Sequence, residues 1–378
     1  MIYSELDPIA LSSEMINCKS VSPSGDESID LLINYLQPLG FTCHKLQFGD
    51  VTNLYARKGI SGKNLCFAGH VDVVPAGNGW DSDPFNATIK DGYLYGRGAV
   101  DMKPAIAAFI SATQLIGSGI DGSISLLISG NEEEDSTNGT PKILEWLKAR
   151  NEKIDDCIVG EPTNPKMLGE MIKIGRRGSI TFELTVEGIQ GHVAYPELAR
   201  NPVNQICFIL ADLKSHIFDQ GNEYFPKSNL EVTTIDVGNK ATNVIPKSAT
   251  TNFNIRFNDM HTKSDLMAIV DGYIEKYTAD YNLTIKSSFD PFFTPPGELA
   301  AMMKDSVEEV MGFAPIFGTE GGTSDARFIH HYCPVIEFGL TNEMAHKTNE
   351  RVKLKDIIKL RDIYLCFLDK YFQRNTDL

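Results

Sequence analysis

The chain has 378 residues, 42% of them hydrophobic and 22% charged, and a formal net charge of −15. That length and composition support a large core divided between two domains and argue against disorder. The acidic balance excludes the basic footprint of a nucleic-acid binder and otherwise marks only a polar surface.

The 7 cysteines are Cys18, Cys43, Cys66, Cys157, Cys207, Cys333 and Cys366. They are odd in number and scattered, without a C-x-x-C pair, so neither a structural zinc knuckle nor a disulfide scaffold is expected. Several stand inside apolar runs and read as reduced core residues. No apolar run approaches the roughly 20 residues that span a bilayer. Residues 1–10 lack the charged-then-apolar layout of a leader. The expected compartment is the cytoplasm.

In chain order, helical signals cover residues 8–17 and 27–39, the second ended by Gly40. Strands are expected over 42–48, 52–57 and 64–68, and a hairpin turns at Asp91-Gly92. A helix follows over 104–116 with proline in its first turn, then a buried strand at 124–128, a helix at 141–150 and a buried strand at 157–159. Alternation of this kind predicts an α/β sheet covered on both faces, with ligand sites outside the carboxyl ends of its strands. From 179 to 288 the rhythm becomes β-α-β-β-α-β: strands at 179–187, 229–237, 249–257 and 283–288, and helices at 202–218 and 264–281. This is the split ferredoxin-like unit, flanked by hinge-like segments at 175–178 and 290–297. The α/β pattern then resumes with a helix at 298–311, a strand at 334–338 and a long amphipathic helix at 354–371.

Several strands end in metal-binding residue types. The apolar run through Phe67-Ala68 closes on Gly69-His70-Val71-Asp72. Period-2 geometry puts His70 and Asp72 on one face, where one ring nitrogen can ligate a metal while the carboxylate holds the other. Alone, such a pair reads equally well as a surface turn. It is followed by Gly98-Ala99-Val100-Asp101-Met102-Lys103, by Asn131-Glu132-Glu133-Glu134, by Gly160-Glu161-Pro162 and by Ala345-His346-Lys347. The candidate ligands are therefore His70, Asp101, Glu133, Glu161 and His346. With Asp101 bridging through its two oxygens, His70 and Glu161 complete one metal and Glu133 and His346 the other. The mixed nitrogen and oxygen set suits zinc, with cobalt or manganese as alternatives. Two divalent ions against three carboxylates leave surplus positive charge, which lowers the pKa of a shared water. Glu132 cannot share a face with Glu133 and is expected to point toward that water as general base. The run 132–135 also reads as a solvated acidic loop; its place directly after an apolar strand favours the catalytic reading.

Over nearly its whole length the chain resembles the co-catalytic zinc amidohydrolases of the aminoacylase and carboxypeptidase type. The metal motifs match in order. They are supported by Gly175-Arg176-Arg177-Gly178, Gln190-Gly191-His192-Val193-Ala194-Tyr195-Pro196, Asn243-Val244-Ile245-Pro246, Gly321-Gly322-Thr323-Ser324-Asp325-Ala326-Arg327 and His346-Lys347-Thr348-Asn349-Glu350. Asn131 stands where the family commonly has aspartate, Pro104 where glycine is usual, and Glu197 where histidine often follows Tyr-Pro. The resemblance implies a mixed-sheet zinc-peptidase domain at 1–178 and 293–378, interrupted by a ferredoxin-like dimerisation domain at 179–292. It implies two zinc ions per subunit, replaceable by cobalt. The implied reaction is hydrolysis of the succinyl amide of N-succinyl-LL-2,6-diaminopimelate, in lysine and cell-wall precursor synthesis.

The same resemblance implies that Asp72 orients His70 and that the inserted domain forms a homodimer. His192 would then reach the partner's active site as an oxyanion donor. Arg176, Arg177, Asn243, Arg256, Ser324 and Arg327 are implied around the substrate carboxylates, where arginine's planar fork fits. From the residues alone, His192 reads as a turn histidine and Arg256 as half of a strand-face ion pair. A substrate with several carboxylates and an acidic protein require local arginines and metal charge to invert the field at the site. A related deacetylase or small-peptide hydrolase keeps the same chemistry with another substrate. A non-catalytic metal-binding scaffold would need a damaged ligand or base, and none is visible.

Overall fold

Strand Asn64–His70 is buried at every residue, as is Ser123–Ser129, the continuous apolar signature of strands covered on both faces. The two are parallel neighbours, and Asp156–Val159 lies parallel on the other side of Asn64–His70. They form the centre of an eight-stranded mixed sheet in the order Thr42–Phe48, Val51–Lys58, Ser123–Ser129, Asn64–His70, Asp156–Val159, Val335–Glu337, Met171–Lys173, Ile316–Gly318. In this computed structural model, residues 5–373 are described apart from Ser118 and Asp135. The expected absence of a leader partly concerns residues 1–4, and the acidic run ends at Asp135; residues 1–4 and Asp135 lie outside the described residues.

The chain divides into two compact units. One comprises Met1–Ile174, Thr294–Gly318 and Ser324–Leu378, the other Gly175–Phe293 and Thr319–Thr323. In the larger unit, helices Lys103–Ile116 and Leu354–Tyr371 pack against each other, and Pro8–Asn17 joins the first of them. Phe67 of the central strand stacks on Phe109 at 4.3 Å between ring centres, and Tyr364 meets both edge-on. Helices Asp26–Leu36 and Thr140–Lys148 pack on Val51–Lys58 and Ser123–Ser129. No helix among the described residues is long and apolar enough to cross a membrane, and all seven cysteines are unpaired.

Because the three central strands run parallel, their carboxyl ends share one rim of the sheet, and His70, Glu132, Glu133 and Glu161 all follow there. Two glycines fit this rim tightly. A Cβ on Gly69 would lie 2.5 Å from the Met102 methyl, and one on Gly160 would lie 2.7 Å from that methyl and 2.4 Å from the Phe67 ring. The fully buried Met102 side chain is thus wedged against the ends of two strands at once.

The smaller unit carries a four-stranded antiparallel sheet ordered Asn229–Asp236, Ser248–Phe257, Gly178–Glu187, Tyr281–Phe289. Alternation along Gly178–Glu187 sends Ile180, Phe182, Leu184 and Val186 into one core, with Phe253, Ile255 and Phe257 from the neighbouring strand. Ile206, Ile209 and Leu213 of helix Pro202–Ser215 and Leu266, Val270 and Ile274 of Lys263–Glu275 complete it. The second helix starts in a capping box between Thr262 and Asp265. It ends at Glu275, earlier than the pattern over 264–281 predicts. Thr278 Oγ1 accepts the Asp280 N–H at 3.0 Å, and this turn releases the chain into strand Tyr281–Phe289.

Candidate active site

His70 closes its strand almost fully buried. Its Nδ1 lies 2.9 Å from the main-chain carbonyl of Asp72, a contact that requires the proton on Nδ1 and leaves the Nε2 lone pair free. Nε2 faces Asp101 Oδ1 at 3.2 Å and Glu161 Oε1 at 3.7 Å. The other oxygen of Asp101 lies 3.3 Å from His346 Nε2, which is also 3.0 Å from Glu133 Oε1. One carboxylate therefore addresses two imidazoles, each of which meets a second carboxylate. All five expected ligands are gathered, His70 from the end of a strand and the other four from four separate loops.

Asp72 departs from expectation. Its carboxylate stays 3.7 Å from His70 Nδ1 and is occupied elsewhere. Both of its oxygens accept the Glu132 N–H at 3.1 Å, and Oδ2 also accepts that of Glu133 at 3.1 Å. The strand ends at His70. Beyond it the period-2 register lapses, and the main-chain carbonyl meets the ring instead. Asp72 thus orients His70 through its backbone and the paired glutamates through its side chain.

Electrostatically the cluster is short of positive charge. Burial, then Glu161, pushes the Glu132 carboxyl well above the usual range. Burial pulls His70 down, yet Asp101, Asp72 and Glu132 together push it well above its ordinary value. Hydrogen bonds with Asp101 and then Glu133 push His346 up to about 10. Burial opposes ionisation of Asp101, but His346 and His70 hold it far below the carboxylate range. A neutral His70 would present three acceptors to one another with no donor between them, which is the arrangement a cation satisfies. The donor set fits divalent metal: ligand atoms of His70, Asp101 and Glu133 lie within 4.8 Å of one another, as do those of His70, Glu132 and Glu161. His346 is about half exposed, with 49% of its side chain in solvent, so the centre opens to water.

Two residues expected at the substrate have other partners. Ser324 is fully buried and donates its hydroxyl to Glu337 at 2.6 Å. Arg327 is largely buried, donates to Ser136 Oγ at 2.9 Å and lies over the Phe328 ring. Ser136 donates in turn to the Glu132 carbonyl at 3.0 Å, so Arg327 braces the glutamate loop. Asp325, which the motif reading passed over, is buried and accepts from Thr140 at 2.6 Å. Burial raises its carboxyl above the usual range.

The remaining expected residues belong to the smaller unit. His192 is exposed on the short ribbon Gly191–His192 with Val244–Ile245. Its Nδ1 accepts the Ala194 N–H at 3.0 Å, so in the neutral ring Nε2 carries the proton and is a donor. Asn243 sits beside it, its carbonyl accepting the Val193 N–H at 3.1 Å. Arg176 is buried and donates to the Gly322 carbonyl at 2.7 Å. Arg177 donates to Asn229 Oδ1 at 2.8 Å; burial, then the neighbouring Arg256, lowers its pKa. Arg256, paired in register with Ser179 and Asn229, is half-buried. Among the described residues it makes no ion pair, unlike the strand-face pair that its sequence context also allowed.

The chain is similar to known proteins over nearly its whole length. Residues 66–370 match the model of peptidase family M20/M25/M40. A succinyl-diaminopimelate desuccinylase of Ehrlichia canis is 51% identical over 375 residues, covering 97% of this chain and 99% of that protein. One of Parvibaculum lavamentivorans is 50% identical over 381 residues, covering 98% and 96%. Among solved structures, a tripeptidase of Staphylococcus aureus superposes with a TM-score of 0.80 at 18% identity, covering 99% of this chain and 100% of that one. A dinuclear metal-binding peptidase of Bacillus subtilis does so with 0.71 at 13%, covering 97% and 98%. The chain belongs to peptidase family M20/M25/M40.

Proposed function

We propose that the chain is a succinyl-diaminopimelate desuccinylase, splitting N-succinyl-LL-2,6-diaminopimelate with water into succinate and LL-2,6-diaminopimelate. The observation that carries the chemistry is Asp101, whose two oxygens each face a different imidazole at 3.2 and 3.3 Å. The substrate rests on relatives about 50% identical over nearly the full length. In this reading His70 and Glu161 would hold one zinc ion and Glu133 and His346 the other, with Asp101 shared between them; cobalt could substitute. The enzyme works in the cytoplasm, where its unpaired cysteines stay reduced, within lysine and diaminopimelate synthesis.

Bound there, the metal pair supplies Lewis-acid charge that polarises the scissile carbonyl and eases ionisation of water and of Glu132. Glu132, held by the Asp72 carboxylate through its own N–H, takes the proton of the attacking water and passes it to the leaving amine. His192 donates its Nε2 proton in a hydrogen bond to the oxyanion, reaching across a homodimer formed by the inserted domain. Arg256, Arg177 and Asn243 hold the carboxylates of the substrate. Arg327 braces the loop that carries Glu132 through Ser136. The test is succinate release from the succinylated substrate with zinc added; turnover no faster than on acetylornithine assigns the chain to a deacetylase activity instead.

A further inference from the structure

Arg97 and Glu350 form a 2.7 Å ion pair with both side chains almost wholly excluded from solvent, 3% and 1% exposed. Glu350 Oε2 accepts from Arg97 Nη1 and, at 3.1 Å, from the Gly98 N–H. Its Oε1 accepts the N–H groups of Val100 at 2.7 Å and Asp101 at 3.2 Å. Arg97 donates in addition to the carbonyls of Pro75, Ala76 and Lys347 at 3.3, 3.1 and 3.4 Å. The pair thus ties together three segments of the centre: the one that follows His70, the one that ends at Asp101 and the one that starts at His346. Thr348 and Asn349 add hydrogen bonds to Asn78 and Asp81. The backbone of His346 and Asn349 is left-handed, with φ of 61° and 58°, a conformation that non-glycine residues keep where their surroundings impose it.

Stability alone is a weak reason for such a pair, since a buried ion pair contributes little net stability over well-packed apolar residues. What these two residues add is placement, because one carboxylate fixes the main chain of Asp101 against the loop that carries His346. We propose that Glu350, held by Arg97, is a positioning residue that sets the separation of the Asp101 and His346 donor atoms and so the affinity for the metal pair. This rests on the metal-centre reading above. Glu350 touches neither metal nor substrate; it acts through the two ligands.

The experiment is calorimetric titration of chelator-stripped protein with zinc ion, for wild type, Glu350→Gln, Arg97→Lys and Glu152→Gln. Glutamine keeps the size of Glu350 but turns an amide N–H₂ onto backbone donors. It is expected to weaken zinc binding about 10- to 100-fold in a protein that stays folded by circular dichroism. Lysine at 97 keeps the charge and loses the fork that reaches three carbonyls, so its effect is intermediate. Glu152→Gln removes the half-buried partner of Arg57 away from the centre and lowers Tm without changing zinc affinity. Wild-type affinity in folded Glu350→Gln overturns the proposal, as does wild-type affinity in Arg97→Lys should the glutamine variant not fold. Equal weakening in Glu152→Gln also overturns it, since the effect is then one of general stability. A wild-type protein that takes up no zinc overturns the metal-centre reading itself, a result distinct from the others.

Discussion

His346 Nε2 lies 3.0 Å from Glu133 Oε1, although 213 residues separate them in the chain. The hydrogen bond with Asp101, and then this contact, push His346 up to about 10 in the metal-free protein. The folded value is above the unfolded one of about 6.5. The imidazolium therefore stabilises the metal-free fold fully below that pH, and its contribution is lost as pH rises through about 10. At pH 8 the ring holds a proton that must leave when metal binds. Zinc affinity should rise from pH 7 to 9. Calorimetry in buffers of different ionisation heat should count about one proton fewer released by His346→Ala. An unchanged count removes His346 from the metal shell.

Glu132 sits within ligand distance of His70 and Glu161, so its role as base or as ligand is open to a direct measurement. Glu132→Ala is expected to lower kcat by about 10²- to 10⁴-fold while two zinc ions per chain remain by elemental analysis. A stoichiometry of one would make Glu132 a ligand.

Asp72 holds the main chain of both paired glutamates. Asp72→Ala releases that loop and should weaken zinc binding by about 10- to 100-fold. His70 keeps its main-chain partner in this variant, so its ring, followed by NMR, is expected to retain the Nδ1 proton. Loss of that proton would show that the carboxylate orients the ring after all.

Arg256 makes no ion pair among the described residues, which leaves its guanidinium available for a carboxylate. Arg256→Ala should cut kcat/KM on the succinylated substrate about 10- to 100-fold, the worth of a hydrogen bond to a charged group. Acetylated substrates, which lack the succinyl carboxylate, should change little. Equal loss on both would assign Arg256 to the fold.

A chain carrying His192→Ala mixed with one carrying Glu132→Ala should regain part of the activity, because each hybrid dimer holds one site with both residues intact. Light scattering and subunit exchange monitored by fluorescence establish that hybrids form. Formed hybrids without activity would exclude a shared site.

Much of this centre was legible before folding because its residues follow sequence-local signals. His70 closes a buried strand, Glu132, Glu133 and Glu161 stand shortly after others, and Asp101 just before a helix whose first turn holds Pro104. The β-α-β-β-α-β rhythm was legible for the same reason, in strands of eight to ten residues that show alternation. Met171–Lys173 and Ile316–Gly318 have three residues each, too few for a period to register. Arg97 and Glu350 are 253 residues apart and no periodicity relates them. Ser324 and Arg327 carry the right chemistry for a carboxylate; only the fold shows that Glu337 and Ser136 meet them first.

The Met102 wedge limits how this site can change. Its methyl occupies space that a side chain at Gly69 or, together with the Phe67 ring, at Gly160 would need, and its neighbour in the chain is Asp101, which faces both imidazoles. A larger residue at 69 must displace the end of the Met102 side chain, and one at 160 must displace the Phe67 ring as well, so a smaller residue at 102 makes room at 69 but not by itself at 160. Four residues without reactive groups, Phe67, Gly69, Met102 and Gly160, thus set how closely the ends of two strands approach the segment that carries Asp101.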